Sequence, residues 1–188
     1  MSASKGHKLD IDRRAAVLGI AGCCLVGPAF AGPEDELPQK GDSLVVAEGD
    51  AEGKPFAPDM ATVGGEPVIC IAQDAATGTQ RTESRFGKIV LVRLSDADID
   101  EDTKPHTVDG LVALSAICTH QGCTVTGWDK ENKALLCFCH GSEFVPGEGG
   151  RVEKGPARKR IPVLPIAKDD KGSIVVAGGF LGKPGPAA

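Results

Sequence analysis

Beyond residue 43 the chain is a series of short apolar runs separated by turn-forming residues. The runs are Leu44–Ala47, Val68–Ala72, Ile89–Leu94, Leu111–Ile117, Thr124–Trp128, Ala134–Phe138, Ile161–Ile166 and Ile174–Ala177. Val, Ile and Leu fill most of them, and Gly, Pro, Asp or Asn intervene before a helix could build several turns. The pattern predicts antiparallel strands throughout and an all-β fold. Asp129-Lys130-Glu131-Asn132, between two of the runs, reads as a hairpin turn. No self-similarity at a solenoid period is visible.

The first 43 residues break from this pattern. Residues 1–31 begin polar and basic, pass through Asp12-Arg13-Arg14 and continue uncharged from Ala15 to Ala31. Paired arginines before a weakly apolar Gly/Ala-rich run resemble a twin-arginine export signal, with Asp12 at the usual Ser position and Ala16 where Phe is common. Three fates stand open. The 17-residue run, about 25 Å long as a helix, approaches the roughly 30 Å of a bilayer core and could remain as an anchor. Ala29-Phe30-Ala31 resembles a cleavage site, and Ile20-Ala21-Gly22-Cys23 resembles a lipoprotein site acylated at Cys23. Each fate leaves the remainder in the periplasm or on the outer face of the cytoplasmic membrane. Residues 32–43 read as a Pro/Gly-punctuated linker, and 44–188 as one β domain.

Composition sharpens this picture. Six Phe, one Trp and no Tyr stand against 25 Gly and 13 Pro, which suits a loop-rich β protein. The formal net charge is −5, and because the first 31 residues are net basic, 32–188 holds 17 basic and 24 acidic side chains, or −7. An acidic domain argues against a nucleic-acid partner. The acidic stretch from Asp96 to Asp102 alternates like a calcium loop, but Glu101 stands at the glycine position and Thr107 at that of the closing Glu. It reads as a solvated loop. Cys70, inside an apolar run, reads as a buried inert thiol. His7 falls in the export segment and His106 in a surface loop.

The chemistry concentrates between Cys118 and Phe144. Cys-Thr-His-Gln-Gly-Cys at 118–123 and Cys-Phe-Cys-His-Gly-Ser-Glu-Phe at 137–144 are separated by thirteen residues. Each box offers one Cys, one His and a spare Cys, with Gly122 and Gly141 suited to tight turns. Cys/His groups at such spacings also occur as structural zinc sites. Zinc needs only four of these six side chains and gives no reason for the Gly-Ser that follows His140.

The duplicated boxes resemble those of a Rieske [2Fe–2S] iron–sulfur protein of the respiratory type. The resemblance implies an antiparallel β-sandwich base with a small inserted cluster-binding subdomain, about 111–160, preceded by the signal or anchor segment. It implies one [2Fe–2S] cluster, with Cys118 and Cys137 on one iron and His120 and His140 on the other. Cys123 and Cys139 would form a disulfide clamping the two loops, a pair that the otherwise similar oxygenase-type ferredoxins lack. Ser142 matches a serine that donates to a bridging sulfide. Phe144 occupies a position where high-potential members carry a hydroxyl-bearing Tyr, so the implied potential lies lower in the Rieske range. Gly155-Pro156-Ala157 resembles the loop that covers the cluster, and Arg158-Lys159-Arg160 follows it.

The implied function is electron transfer within an oxidoreductase complex, with no independent catalytic residue in this chain. Two assignments stand together: the Rieske subunit of a quinol-oxidising cytochrome bc complex, with cytochrome b or c partners, and the small subunit of an arsenite oxidase, with a molybdenum subunit as partner. An independent carrier follows. Gln121 takes the place of an apolar loop-tip Leu in the quinol-oxidising type and sets quinol docking apart as an open point. The reading from another class is a zinc-stabilised binding module without redox activity.

Overall fold

The computed structural model describes residues 36–186. The export or anchor segment expected at 1–31 and the start of the linker at 32–35 lie outside the described residues. Ten strands form among the described residues: β1 Ser43–Val46, β2 Val68–Gln73, β3 Ile89–Arg93, β4 Leu111–Ser115, β5 Gly127–Asp129, β6 Ala134–Cys137, β7 Ser142–Val145, β8 Arg151–Lys154, β9 Ile166–Lys168 and β10 Ile174–Val176. Short 3-10 turns are the helical elements seen there, and no helix among the described residues is long and apolar enough to cross a membrane.

Two antiparallel sheets result, one of six strands in the order β4-β3-β2-β1-β10-β9 and one of four in the order β5-β6-β7-β8. The larger sheet nearly closes on itself. Ahead of β9, Leu164 N–H donates to Ala113 O and Ser115 N–H to Pro162 O, both at 2.8 Å, with Val163 bridging Leu114. Alternation along the central strands then sends side chains into two separate cores. Ile89 and Leu91 of β3 and Leu111 and Ala113 of β4 point to an inner core with Leu44, Cys70, Leu164 and Val176. Val90, Val92, Val112 and Leu114 point the other way, against Leu135, Phe144, Val125 and Ile161. That second core is the seam between the large sheet and the small one. Strands buried on both faces read as continuous apolar runs, which is how these appear in the sequence.

The small sheet lies between β4 and β9 in sequence, so it is an insertion into the six-stranded base. Leu111–Ser115, placed by sequence within the cluster-binding segment, is β4 and pairs along its full length with β3. The hairpin expected at Asp129–Asn132 joins β5 to β6, where Asp129 Oδ1 accepts the amides of Glu131 and Asn132 at 3.0 and 3.1 Å. The acidic stretch is a mostly exposed loop, as expected, with a short 3-10 turn and with Asp98 engaging Lys133 and Ser95, contacts that lower its pKa. Cys70 is fully buried and unpaired, and desolvation pushes its thiol up to about 12.

Candidate metal centre

The two boxes become two loops at the end of the inserted sheet. The first runs from β4 to β5, the second is the β6–β7 hairpin loop, Phe138 to Gly141. Their backbone closes the same way in each. Gly122 N–H donates to Cys118 O at 2.9 Å, and Gly141 N–H donates to Cys137 O at 3.0 Å. Both glycines have φ near +75°, at +78° and +70°. Around Gly141 an added Cβ would meet nothing, so its requirement for glycine is conformational. At Gly122 the Arg85 guanidinium lies 2.1 Å from where a Cβ would be, and Arg85 also donates to Gly122 O at 3.0 Å.

Side chains follow from this backbone. Cys118 and Cys137 are buried and free of disulfide; Cys118 follows the apolar run that ends at Ile117, and Cys137 is the last residue of β6. Burial raises the Cys118 thiol's pKa. The adjacent Cys137 sulfur adds to the rise, while the backbone N–H groups of His120 and Gln121 oppose it. Across from them the imidazoles of His120 and His140 meet edge to face, with ring centres 4.7 Å apart. His140 is exposed and His120 half-buried. Nδ1 of His120 is buried and has no hydrogen-bond partner. A buried polar atom with nothing to bond is expensive, so this nitrogen fits a metal ligand.

The spare cysteines are joined to each other. A Cys123–Cys139 disulfide ties the first loop to the second across 16 residues of sequence. Among the described residues, the sulfurs of Cys123, Cys137 and Cys139 form the group of metal-ligating atoms lying within 4.8 Å of one another. Two of those sulfurs are in the disulfide, so the group cannot supply the thiolates of a single-ion zinc site. What remains, two thiols and two imidazoles spread over both loops, matches the donor set of a Rieske cluster, in which two His replace two Cys.

A third loop covers the pair. Gly155 lies so close to the second loop that an added Cβ would come within 2.5 Å of Gly141 O, and its φ of +85° independently requires glycine. Ala157 N–H donates to the Ser142 hydroxyl oxygen at 3.1 Å, which leaves the Ser142 proton to be donated elsewhere. Thr119, between the two candidate ligands of the first box, is buried and its hydroxyl donates to Lys159 O. Phe144, on β7 opposite Leu135, is wholly buried in the seam that also contains Cys118 and Cys137.

Sequence reasoning overlooked Arg85 and Thr119, and gave Gly155 only through the resemblance of Gly155-Pro156-Ala157 to a covering loop. A polar residue between two candidate ligands, as at Thr119, was the visible cue. Arg85 is brought in from 37 residues before Gly122.

The Rieske [2Fe-2S] domain family matches residues 65–165, a stretch that contains both loops. A "Cytochrome bc1 complex Rieske iron-sulfur subunit" of Corynebacterium diphtheriae is 35% identical over 104 residues, covering 53% of this chain and 26% of that protein. A Haloferax mediterranei protein, named as the Rieske subunit of a respiratory nitrate reductase, is 38% identical over 98 residues, covering 52% and 44%. The chain therefore spans less than half the length of either relative. Among solved structures, the plasma membrane Rieske protein of the cyanobacterium Synechocystis is 31% identical, covering 47% of this chain and 75% of that one, with a TM-score of 0.34. Proteins of the matched family carry one [2Fe–2S] cluster, and the orphaned His120 nitrogen beside two buried thiols suits it. With more than half its length matched and both boxes inside the match, the chain belongs to the Rieske [2Fe-2S] domain family.

Proposed function

We propose that this chain transfers single electrons, with Cys118 and Cys137 holding one iron and His120 and His140 the other. The observation that carries the reading is the buried, unpartnered Nδ1 of His120, facing a second imidazole and sharing a loop pair with two buried thiols. When bound, the cluster supplies a one-electron couple whose potential is raised by replacing two thiolates with neutral imidazoles. The protein's own residues set the rest. The Cys123–Cys139 disulfide and the Thr119 and Ala157 hydrogen bonds fix the loops, so little reorganises as charge changes. The low-dielectric seam around Cys118 and Cys137 keeps water from the sulfurs, while exposed His140 marks the edge through which an electron leaves.

The complex is a redox assembly on the outer face of the cytoplasmic membrane or in the periplasm. The bc1 and nitrate reductase names among the relatives support a subunit role with protein redox partners. A disulfide between the loops supports an oxidising compartment. A cytochrome b or c partner, with quinol as donor, and a molybdenum subunit are the candidates, and the segment at 1–31 that resembles an export signal would supply the route. Purified protein should contain iron and acid-labile sulfide in equal amounts and give a reduced-state electron paramagnetic resonance signal. Zinc in place of iron would overturn the assignment.

Phe144 gives a finer test of the same site. Ser142 keeps a proton to donate, but Phe144 has no hydroxyl to add a second bond toward a ligand sulfur. Phe144→Tyr is expected to raise the midpoint potential by about 40 mV, the equivalent of one net hydrogen bond of about 1 kcal/mol favouring the reduced form. Protein-film voltammetry reads this directly, and an unchanged or lower potential counts against the role given to Phe144.

A further inference from the structure

The domain is acidic, yet the loop that covers the two boxes ends in Arg158-Lys159-Arg160. Most other cations around the inserted sheet are answered within the chain. Arg151 pairs with Glu148 and Glu153, Lys154 with Glu143, Lys133 with Asp98 and Lys130 with Glu66. Arg160 lines a cleft with Asp100, Asp102 and Glu148. Arg158 and Lys159 differ: both are exposed, and among the described residues neither has a carboxylate at ion-pair distance.

Their position is held by backbone contacts and not left to a mobile side arm. The Lys159 carbonyl accepts from Thr119, which adjoins His120, and the Ala157 amide donates to Ser142, two residues after His140. At the start of the second loop, which Gly155 and Ala157 contact at Gly141 and Ser142, Phe138 is 73% accessible although apolar, its ring lying against Gly127. An exposed apolar side chain and uncompensated charge on loops that touch are the makeup of an association surface, with a contact centre and a steering rim.

We propose that the His120/His140 end of the domain docks an acidic face of a redox protein, with Arg158 and Lys159 as its charge contacts and Phe138 as its apolar contact. This rests on the electron-transfer reading above. The net charge of −7 over residues 32–188 would favour a basic partner, but at physiological salt charges beyond about 8 Å are largely screened. The two cations beside the ligands therefore set the field that an approaching partner meets, and its sign is opposite to that of the whole domain.

Small oxidants read that local sign. The cluster-loaded full chain, reduced, is mixed with hexacyanoferrate(III), a trivalent anion, or with tris(phenanthroline)cobalt(III), a trivalent cation, over a range of ionic strength. Each accepts one electron from the protein. The hexacyanoferrate rate should fall as salt rises, and the Arg158→Gln/Lys159→Gln variant should lose about 5-fold of that rate at low salt, with its resonance signal unchanged. An acidic blue-copper protein used as oxidant should show the same salt slope, and a basic cytochrome c the reverse. A cobalt rate that falls with salt, together with no response to the double variant, overturns the proposal. So does retention on phosphatidylglycerol vesicles that the double variant abolishes while leaving both oxidant slopes unchanged, since that assigns the patch to a lipid surface. Failure of the loaded chain to reduce any oxidant would instead overturn the electron-transfer reading itself.

Discussion

His140→Ala is expected to abolish the cluster while leaving the fold in place. His140 sits on a four-residue loop, is exposed, and belongs to neither apolar core. Removing it leaves no cavity and no buried group unsatisfied, and exposed substitutions of that kind change stability by roughly 0.5 kcal/mol or less. In the proposed ligand set it would be indispensable, because the second iron would then have one other protein donor, His120. The variant should lose essentially all reduced-state paramagnetic signal and most of its iron, with an unchanged far-ultraviolet circular dichroism spectrum. His106, half-exposed and outside both boxes, serves as the control, and His106→Ala should retain full iron. Full iron in His140→Ala would remove His140 from the ligand set. The result is more telling than the same change at Cys137, whose burial would confuse loss of metal with loss of packing.

The second large effect lies far from the metal, at Arg81. Its guanidinium is 3% exposed and meets Asp42 twice, Nε to Oδ2 at 2.7 Å and Nη2 to Oδ1 at 2.9 Å, with Glu36 at 2.9 Å and Asp74 at 3.5 Å. Asp42 is 4% exposed, so truncating Arg81 strands a buried carboxylate. Breaking one partner of such a pair costs about 3–5 kcal/mol. Arg81→Ala should therefore lower the denaturant midpoint and cut the melting temperature by roughly 10 °C. Arg81→Lys keeps the charge but loses the fork that meets both carboxylate oxygens, and should recover only part of the loss. Equal stability of all three proteins would show that this group of charges does not hold residues 36–42 to the base. The hydrogen bonds to Asp42 and the acids around it raise the arginine's own pKa, which favours the charged guanidinium.

How much of this was legible beforehand depends on the kind of signal each part leaves. Strands β1 to β4 and β10 showed plainly because burial on both faces makes them uninterrupted apolar runs, as in Ile89–Arg93. β7 and β8 did not. Ser142–Val145 reads as the tail of a ligand box, and Arg151–Lys154 is mostly exposed and charged, so neither has a pattern of its own. Both are strands because the β6–β7 loop and the Gly149–Gly150 turn fold them back onto a neighbour. Ile161–Ile166 shows the opposite case: its apolar run yields regular pairing only at its end, since Pro162 and Pro165 remove ladder donors.

At the site, residue types and spacing displayed the candidate ligands because metal chemistry restricts them to Cys and His. The supporting contacts carry no such restriction. Arg81 is an arginine like many others until folding brings Asp42, Glu36 and Asp74 around it. Gly155 was marked only by resemblance; its requirement for glycine shows once Gly141 O arrives beside it.

The hydrogen bond from Ser115 N–H to Pro162 O has a consequence for how this protein can change. It places the departure and return of the inserted stretch side by side, while the seam of Leu135, Phe144 and Ile161 against Val90, Val112 and Leu114 seats the sheet between them on the base. Lengthening or shortening a hairpin inside that stretch alters what the far end offers to a partner without stretching the ring of base strands. Rewriting Phe138, Arg158 or Lys159 is open in the same way, since all three are exposed. New docking preferences can thus be acquired at exposed tip positions beside the candidate ligands while the scaffold keeps its register.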